Sequence, residues 1–400
     1  MSLFWLNRIF YFMQKTKSTF YLIYGLVFMA ALIEAMTGYV QSSYLNQFLP
    51  LEYIGLFLSL VTIITIATSF IYPRLARRYS TYRLMIITYF LAVTANFIMS
   101  SETATWLILF SFIVRYLSLV FIFVNMDVLL ENISDDGCTG AIRTKYLTAM
   151  NAAWLISPLI MGYLVGINNN YQRIYYVGGL LMLPALFLLI TRRRQFIDAK
   201  NRYHQQNAAI TINQLLGNRD RRGIFLSALT LQFFYGLMSL YAPIYLHQHI
   251  GLSWATLSIV FTVMLLPFVL IQMPAGILAD RFLGEKEMLI IGNLIMIIAV
   301  AGIFFTKTAN PFVWGFLLFF SRIGAALAES MHETYFFKKV SSRDMAVINL
   351  YRQNKSIGWL IASLTAFATL SFLPLNSIFI VLIAGLIIGL IPIFYIHDTR

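Results

Sequence analysis

Residues 192–222 read RRRQFIDAKNRYHQQNAAITINQLLGNRDRR, the longest polar interval of the 400-residue chain, with eight Lys or Arg side chains. Its centre is too polar to cross a bilayer, although its apolar positions suffice for a short surface helix. On both sides the chain returns to apolar stretches near or above the roughly 20 residues that a membrane-crossing helix requires. The interval therefore reads as a linker between two halves of a polytopic membrane chain.

Composition points the same way. Hydrophobic residues make up 60% of the chain, charged residues only 11%, and the mean hydropathy is +0.76, far above the range of soluble domains. Working outward from the linker, six spans precede it, at about 20–48, 53–72, 83–101, 104–130, 141–167 and 172–191. Six follow, at about 223–246, 253–275, 287–306, 311–337, 346–371 and 375–396. The expected fold class is an all-α polytopic membrane protein with twelve transmembrane helices in two pseudo-symmetric six-helix bundles, 20–191 and 223–396. A cytoplasmic or interfacial segment, 1–19, precedes them and a short tail, 397–400, follows. Residues 1–17, MSLFWLNRIFYFMQKTK, have no small-residue cleavage site behind a proper apolar core. Their mixture of Phe4, Trp5, Phe10, Arg8 and Lys15 fits an interfacial helix better than a secretory signal.

Basic residues orient the chain. Of the 29 Lys and Arg residues, twenty-three fall before the first span, after the last, or in every second gap between spans and at the span ends that border those gaps. Arg173 and Lys307 lie in the opposite gaps, and Arg115, Arg322, Arg352 and Lys355 lie within spans. Such a bias places the basic gaps and both termini in the cytoplasm, and the reading is a multi-pass protein of a bacterial inner membrane. The net charge of +13 is then a basic face toward anionic lipid rather than a nucleic-acid surface, because it does not gather into a soluble domain. Membrane lipids and a small-molecule substrate are the expected partners of a functional monomer.

Other chemistries find little support. The single cysteine, Cys138, allows neither an intrachain disulfide nor a multi-cysteine metal site, and the five histidines are scattered. No glycine-rich Lys-Ser or Lys-Thr phosphate loop appears. Neither a nucleophile motif nor a cofactor fingerprint suggests an enzyme.

The two halves echo one another. PRLARRYSTYR, from Pro73, lies between spans two and three, and GILADRFLGEK, from Gly276, between spans eight and nine. FSFIVRYLSL puts Arg115 in span four, while LLFFSRIGAAL puts Arg322 in span ten. Repeated halves are the basis of alternating access around a central site. With Gly276, Asp280, Arg281, Gly284 and Lys286 in order, the second loop resembles the loop motif of the major facilitator superfamily of secondary transporters. The resemblance covers the whole chain and implies a cytoplasmic gate at Gly276, Asp280 and Arg281. Glu285 stands where the family often has Arg. In the first-half copy Arg77 replaces the family's acidic residue and Pro73 its first glycine, so the implied latch is asymmetric. Ser157-Pro158 and Gly162 in span five faintly resemble the glycine-proline motif of the family's antiporters, although Pro158 also fits a simple packing-compensated kink.

Charges inside spans must be hydrated, paired or neutralised. Glu34, Asp127, Glu329 and Glu333 are candidate proton carriers, the proton being the expected coupling ion with no further cofactor. Glu329 and Glu333 share a helical face, with Glu333 nearer the membrane edge and therefore also a gate candidate. Candidate substrate-binding residues are Glu34, Gln41, Arg115, Asn151, Trp154, Gln232, Tyr235, Tyr241, Gln272, Arg352 and Lys355, sparse polar groups among aromatic walls. The function expected is proton-coupled export of an amphipathic organic solute by alternating access. Proton-coupled uptake of a small anionic metabolite, lipid transport and a non-transporting membrane sensor are the alternatives.

Overall fold

The structure, a computed structural model, describes residues 2–101, 103–133, 139–193, 213, 215–279, 283–340 and 345–397. Cys138 and most of the 192–222 linker, with its expected surface helix, lie outside the described residues. Every described element is helical: α1 Ser2–Gly38, α2 Gln41–Leu45, α3 Leu51–Arg78, α4 Thr81–Ser100, α5 Thr105–Ile133, α6 Thr139–Val165 and α7 Gln172–Thr191. After the linker come α8 Arg219–Ile244, α9 Trp254–Leu270, α10 Gln272–Leu278, α11 Glu285–Phe305, α12 Pro311–Lys339, α13 Met345–Arg352, α14 Asn354–Leu370 and α15 Ser377–Tyr395. A π-helical turn, Tyr245–His249, extends α8.

The chain is an all-α polytopic membrane protein. Among the described residues ten helices are long and apolar enough to cross a bilayer. Two of the expected spans, 253–275 and 346–371, are instead each divided into two shorter helices, and the cause is local. Pro274 has no N–H to offer the Leu270 carbonyl, so α9 closes with Ile271 N–H bonded to Pro267 O at 2.9 Å and α10 starts afresh at Gln272. At Gln353 the N–H bonds three residues back, to Leu350 O at 3.1 Å, and the tightened turn separates α13 from α14. The first expected span also ends early, α1 stopping at Gly38 before the short α2. In the other direction, α1 runs continuously from Ser2, so the expected interfacial segment is helical and joined to the first span.

Two compact units divide the chain. The first comprises Met1–Gly38 and Ile64–Tyr203, the second Tyr39–Ile63 and His204–Arg400. In the first, α4 packs on α5 and α7, and α1 on α5, α6 and α7. In the second, α12 packs on α11, α9 and α8, and α8 also packs on α14 and α15. The α11–α12 contact is close because glycine faces glycine: a Cβ at Gly292 would lie 2.8 Å from the Gly324 carbonyl oxygen. Small residues of this kind let helix backbones approach where lipid supplies no hydrophobic drive.

Candidate functional site

The first unit holds a buried arginine. Arg115, on α5, is 2% exposed. Its Nε donates to Asn96 Oδ1 on α4 at 3.1 Å, its Nη2 donates to Thr37 Oγ1 on α1, and its guanidinium lies 5.3 Å from the centre of the Tyr175 ring on α7. Both acceptors are fixed in turn. Thr37 donates to Ile33 O at 2.8 Å, and Asn96 donates to Ala92 O at 2.8 Å. The charge is thus held by oriented neutral dipoles and an aromatic face. Glu34 is half-buried three residues before Thr37, and it and Arg115 both act electrostatically on Tyr116.

The other first-unit candidates with described side chains lie on α5 and α6. Asp127 is half-buried, two residues beyond Asn125, whose Oδ1 accepts the Tyr72 hydroxyl at 2.6 Å. Trp154 is half-buried and near Gly38, while Asn151, one turn earlier on α6, is exposed. The side chain of Arg77 lies outside the described residues, as do Asp280 and Arg281.

In the second unit a cavity of about 190 Å³ gathers five of the predicted residues: Gln232, Glu329, Glu333, Arg352 and Lys355. The helix break at Gln353 accounts for the last two. The polar run Arg352-Gln353-Asn354-Lys355, expected inside a continuous helix, sits at the α13–α14 junction, where Arg352 and Lys355 are exposed into the opening and Asn354 is buried. Across the cavity, α12 contributes Glu329, His332 and Glu333, and α8 contributes Gln232.

Glu329 is the best-defined member. Its Oε2 accepts the Tyr235 hydroxyl at 3.0 Å, and Glu333, Lys355 and Arg322 all act on it electrostatically. The Tyr235 ring also stands 5.5 Å from the guanidinium of Arg322, a residue 4% exposed with Phe234 at 5.2 Å on another side. Arg322 Nε and Nη1 have no hydrogen-bond partner among the described residues. Arg322, Tyr235 and Glu329 form a chain from guanidinium through aromatic ring to carboxylate. The cavity wall is polar beyond it: His332 Nε2 and Ser227 Oγ share a hydrogen bond of 2.7 Å, and Asn354 Nδ2 donates to Phe225 O at 3.0 Å. Thr37, Asn96, Tyr175 and Ser227 were not among the residues singled out from the sequence, where their only signal is a polar side chain in an apolar span, whereas Asn354 belongs to the polar run at 352–355.

The remaining second-unit candidates do not line this cavity. Tyr241 is fully buried, its hydroxyl unpartnered among the described residues; Gln41 is buried in α2, and Gln272 is half-buried at the start of α10. Gly276, near the end of α10, has open space around it. Gly284 has φ +84°, a conformation that favours glycine, and starts α11. Buried Glu285 then pairs with Lys338 on α12, and Lys286 Nζ donates to Phe394 O and Ile396 O at 3.0 Å each. The acidic residue that departs from the motif is matched by a lysine. Among the described residues no group of three or more His, Cys, Asp or Glu side chains is placed to hold a metal ion.

A family model of the Major Facilitator Superfamily matches residues 23–353. The chain belongs to this superfamily. It is accordingly a secondary transporter rather than an enzyme. Solved structures repeat the fold at low identity. A bacterial homolog of the human lysosomal transporter Spinster, in an inward-facing, unoccupied conformation, has TM-score 0.76 and 11% identity, over 95% of this chain and 96% of that one. A point mutant of the nucleoside transporter NupG has TM-score 0.77 and 12% identity, over 94% and 99%. The peptide transporter POT in complex with sulfate has TM-score 0.73 and 12% identity, over 94% and 93%. No curated protein sequence matches the chain.

Proposed function

We propose that the chain is a proton-coupled transporter that exports an amphipathic organic solute, with Glu329 as the proton carrier. The observation that carries this reading is the Tyr235–Glu329 hydrogen bond beside a cavity that also holds Glu333, Arg352 and Lys355. A carboxylate with one neutral donor and charges of both signs nearby is sensitive to its ionic surroundings. A solute group entering the cavity and a proton on Glu329 change the same local charge, so the two compete, and competition for one site is the basis of exchange. Glu34 and Asp127, half-buried in the first unit, are secondary candidates for proton transfer.

In this reading the twelve expected spans form two six-helix halves, the divided α9–α10 and α13–α14 each counting as one crossing. The basic gaps and termini face the cytoplasm. The fixed turn at Gly284 and the Glu285–Lys338 pair support a latch on that side. A second reading, uptake of a small anion with a proton, draws support from Arg352 and Lys355 on the same cavity. Flux in proteoliposomes under an imposed proton gradient separates the two. Export by exchange predicts solute moving against the direction of the protons, uptake predicts both moving together, and equal flux with and without the gradient sinks both.

A further inference from the structure

A second cavity lies away from the candidate transport site, at one membrane boundary. It has a volume of about 320 Å³ and is lined by Arg219, Arg222 and Leu226 at the start of α8 and by Ile391, Pro392 and Tyr395 at the end of α15. Since both helices are candidate membrane spans, the cleft opens where hydrocarbon gives way to headgroups. Its walls are almost wholly apolar, and its two charged side chains are both guanidinium groups. The helices meet closely at Gly223, where an added Cβ would lie 3.2 Å from Pro392 O.

Among the described residues no acidic side chain pairs with the two arginines at its rim. Arg219 lies over the Tyr395 ring at 5.7 Å, and Arg222 is exposed with no hydrogen bond or ion pair among the described residues. Asp220, between them in sequence, takes Lys339 Nζ at 2.9 Å and the His397 backbone N–H at 2.9 Å. Arg221 is also engaged, donating to Lys339 O at 3.1 Å. Two arginines therefore face one opening on a helix turn where positive charge is disfavoured, above a slot whose walls offer almost nothing to hold water.

We propose that this cleft binds the headgroup of an anionic phospholipid, its phosphate between Arg219 and Arg222 and the upper part of an acyl chain against Leu226 and Ile391. Planar guanidinium groups suit phosphate oxygens. At ~30 Å³ per water molecule, the cleft accommodates a headgroup and the start of one acyl chain and not a whole lipid, leaving the rest of the chains in the bilayer. The site is independent of the proton-coupling reading.

The test is native mass spectrometry of the full-length protein released from micelles with phosphatidylglycerol and phosphatidylcholine of matched chains. The expected result is retention of phosphatidylglycerol over phosphatidylcholine on the order of tenfold, falling toward unity in Arg219→Gln/Arg222→Gln. Leu226→Trp, which fills the slot and leaves the arginines in place, removes the bound lipid and guards against misfolding of the double variant. Equal retention of both lipids by the natural protein, or an unchanged preference in the variants, overturns the proposal. A third arm adds inorganic phosphate without anionic lipid. Arginine-dependent protection against thermal unfolding by phosphate alone assigns the cleft to a soluble anion and overturns the lipid assignment; no protection is the expected outcome.

Discussion

Tyr235 and Glu329 face one another across α8 and α12, the phenol donating to Oε2 at 3.0 Å. Tyr235→Phe removes this donor from the proposed proton carrier, so the pH dependence of gradient-driven transport is expected to change. Flux measured across a pH series checks this, and an unmoved midpoint separates Tyr235 from proton handling.

Arg115 is expected to hold the first unit together. Arg115→Met leaves Thr37 Oγ1 and Asn96 Oδ1 without their charged donor, and each buried unsatisfied group costs about 1–3 kcal/mol. Thermal unfolding in detergent should show a clear loss of stability. Lysine is a poor substitute, since a single ammonium does not reproduce the fork that reaches α1 and α4 together. Full recovery in Arg115→Lys contradicts this account.

The Glu285–Lys338 pair joins the start of α11 to the end of α12. Lys338 is partly exposed whereas Glu285 is 2% exposed, so reversing the lysine leaves the buried carboxylate beside a like charge. Lys338→Glu is expected to destabilise by about 1–3 kcal/mol, and the exchange Glu285→Lys/Lys338→Glu to recover part of it. A double-mutant cycle on unfolding midpoints measures the coupling.

At the α11–α12 crossing, Gly324→Leu is expected to separate the helices, because the space beside Gly324 is occupied by the Gly292 backbone and Met296. Overpacking of this kind costs about 1–3 kcal/mol. Gly315, on the same helix with no atoms within 4 Å of an added Cβ, provides the matched control, where Ala should be tolerated.

Hydropathy made the membrane class and most helices legible, since each long helix is nearly self-sufficient in backbone hydrogen bonds and only its apolar length must match the bilayer. The intramembrane charges were legible for the same reason, and Gln232, Glu329, Glu333, Arg352 and Lys355 meet around one cavity. What holds them was not. Thr37 and Asn96 also bond their own helices, and nothing in the sequence tells such residues from those that reach a neighbour. Asn151 had the same appearance and is exposed. The helix breaks lie between these cases: Pro274 marked the first, but the polar run at 352–355 gave no sign that the helix stops there. Tertiary contacts, which decide both, are invisible one segment at a time.

The most direct test of the central claim is solute flux in proteoliposomes carrying Glu329→Gln under an imposed proton gradient, with solute exchange at equal pH measured alongside. The account predicts that gradient-driven flux disappears while exchange persists, because Gln keeps the shape of Glu329 and the acceptor for Tyr235 but carries no titratable proton. Gradient-driven flux at the natural rate in Glu329→Gln would contradict it.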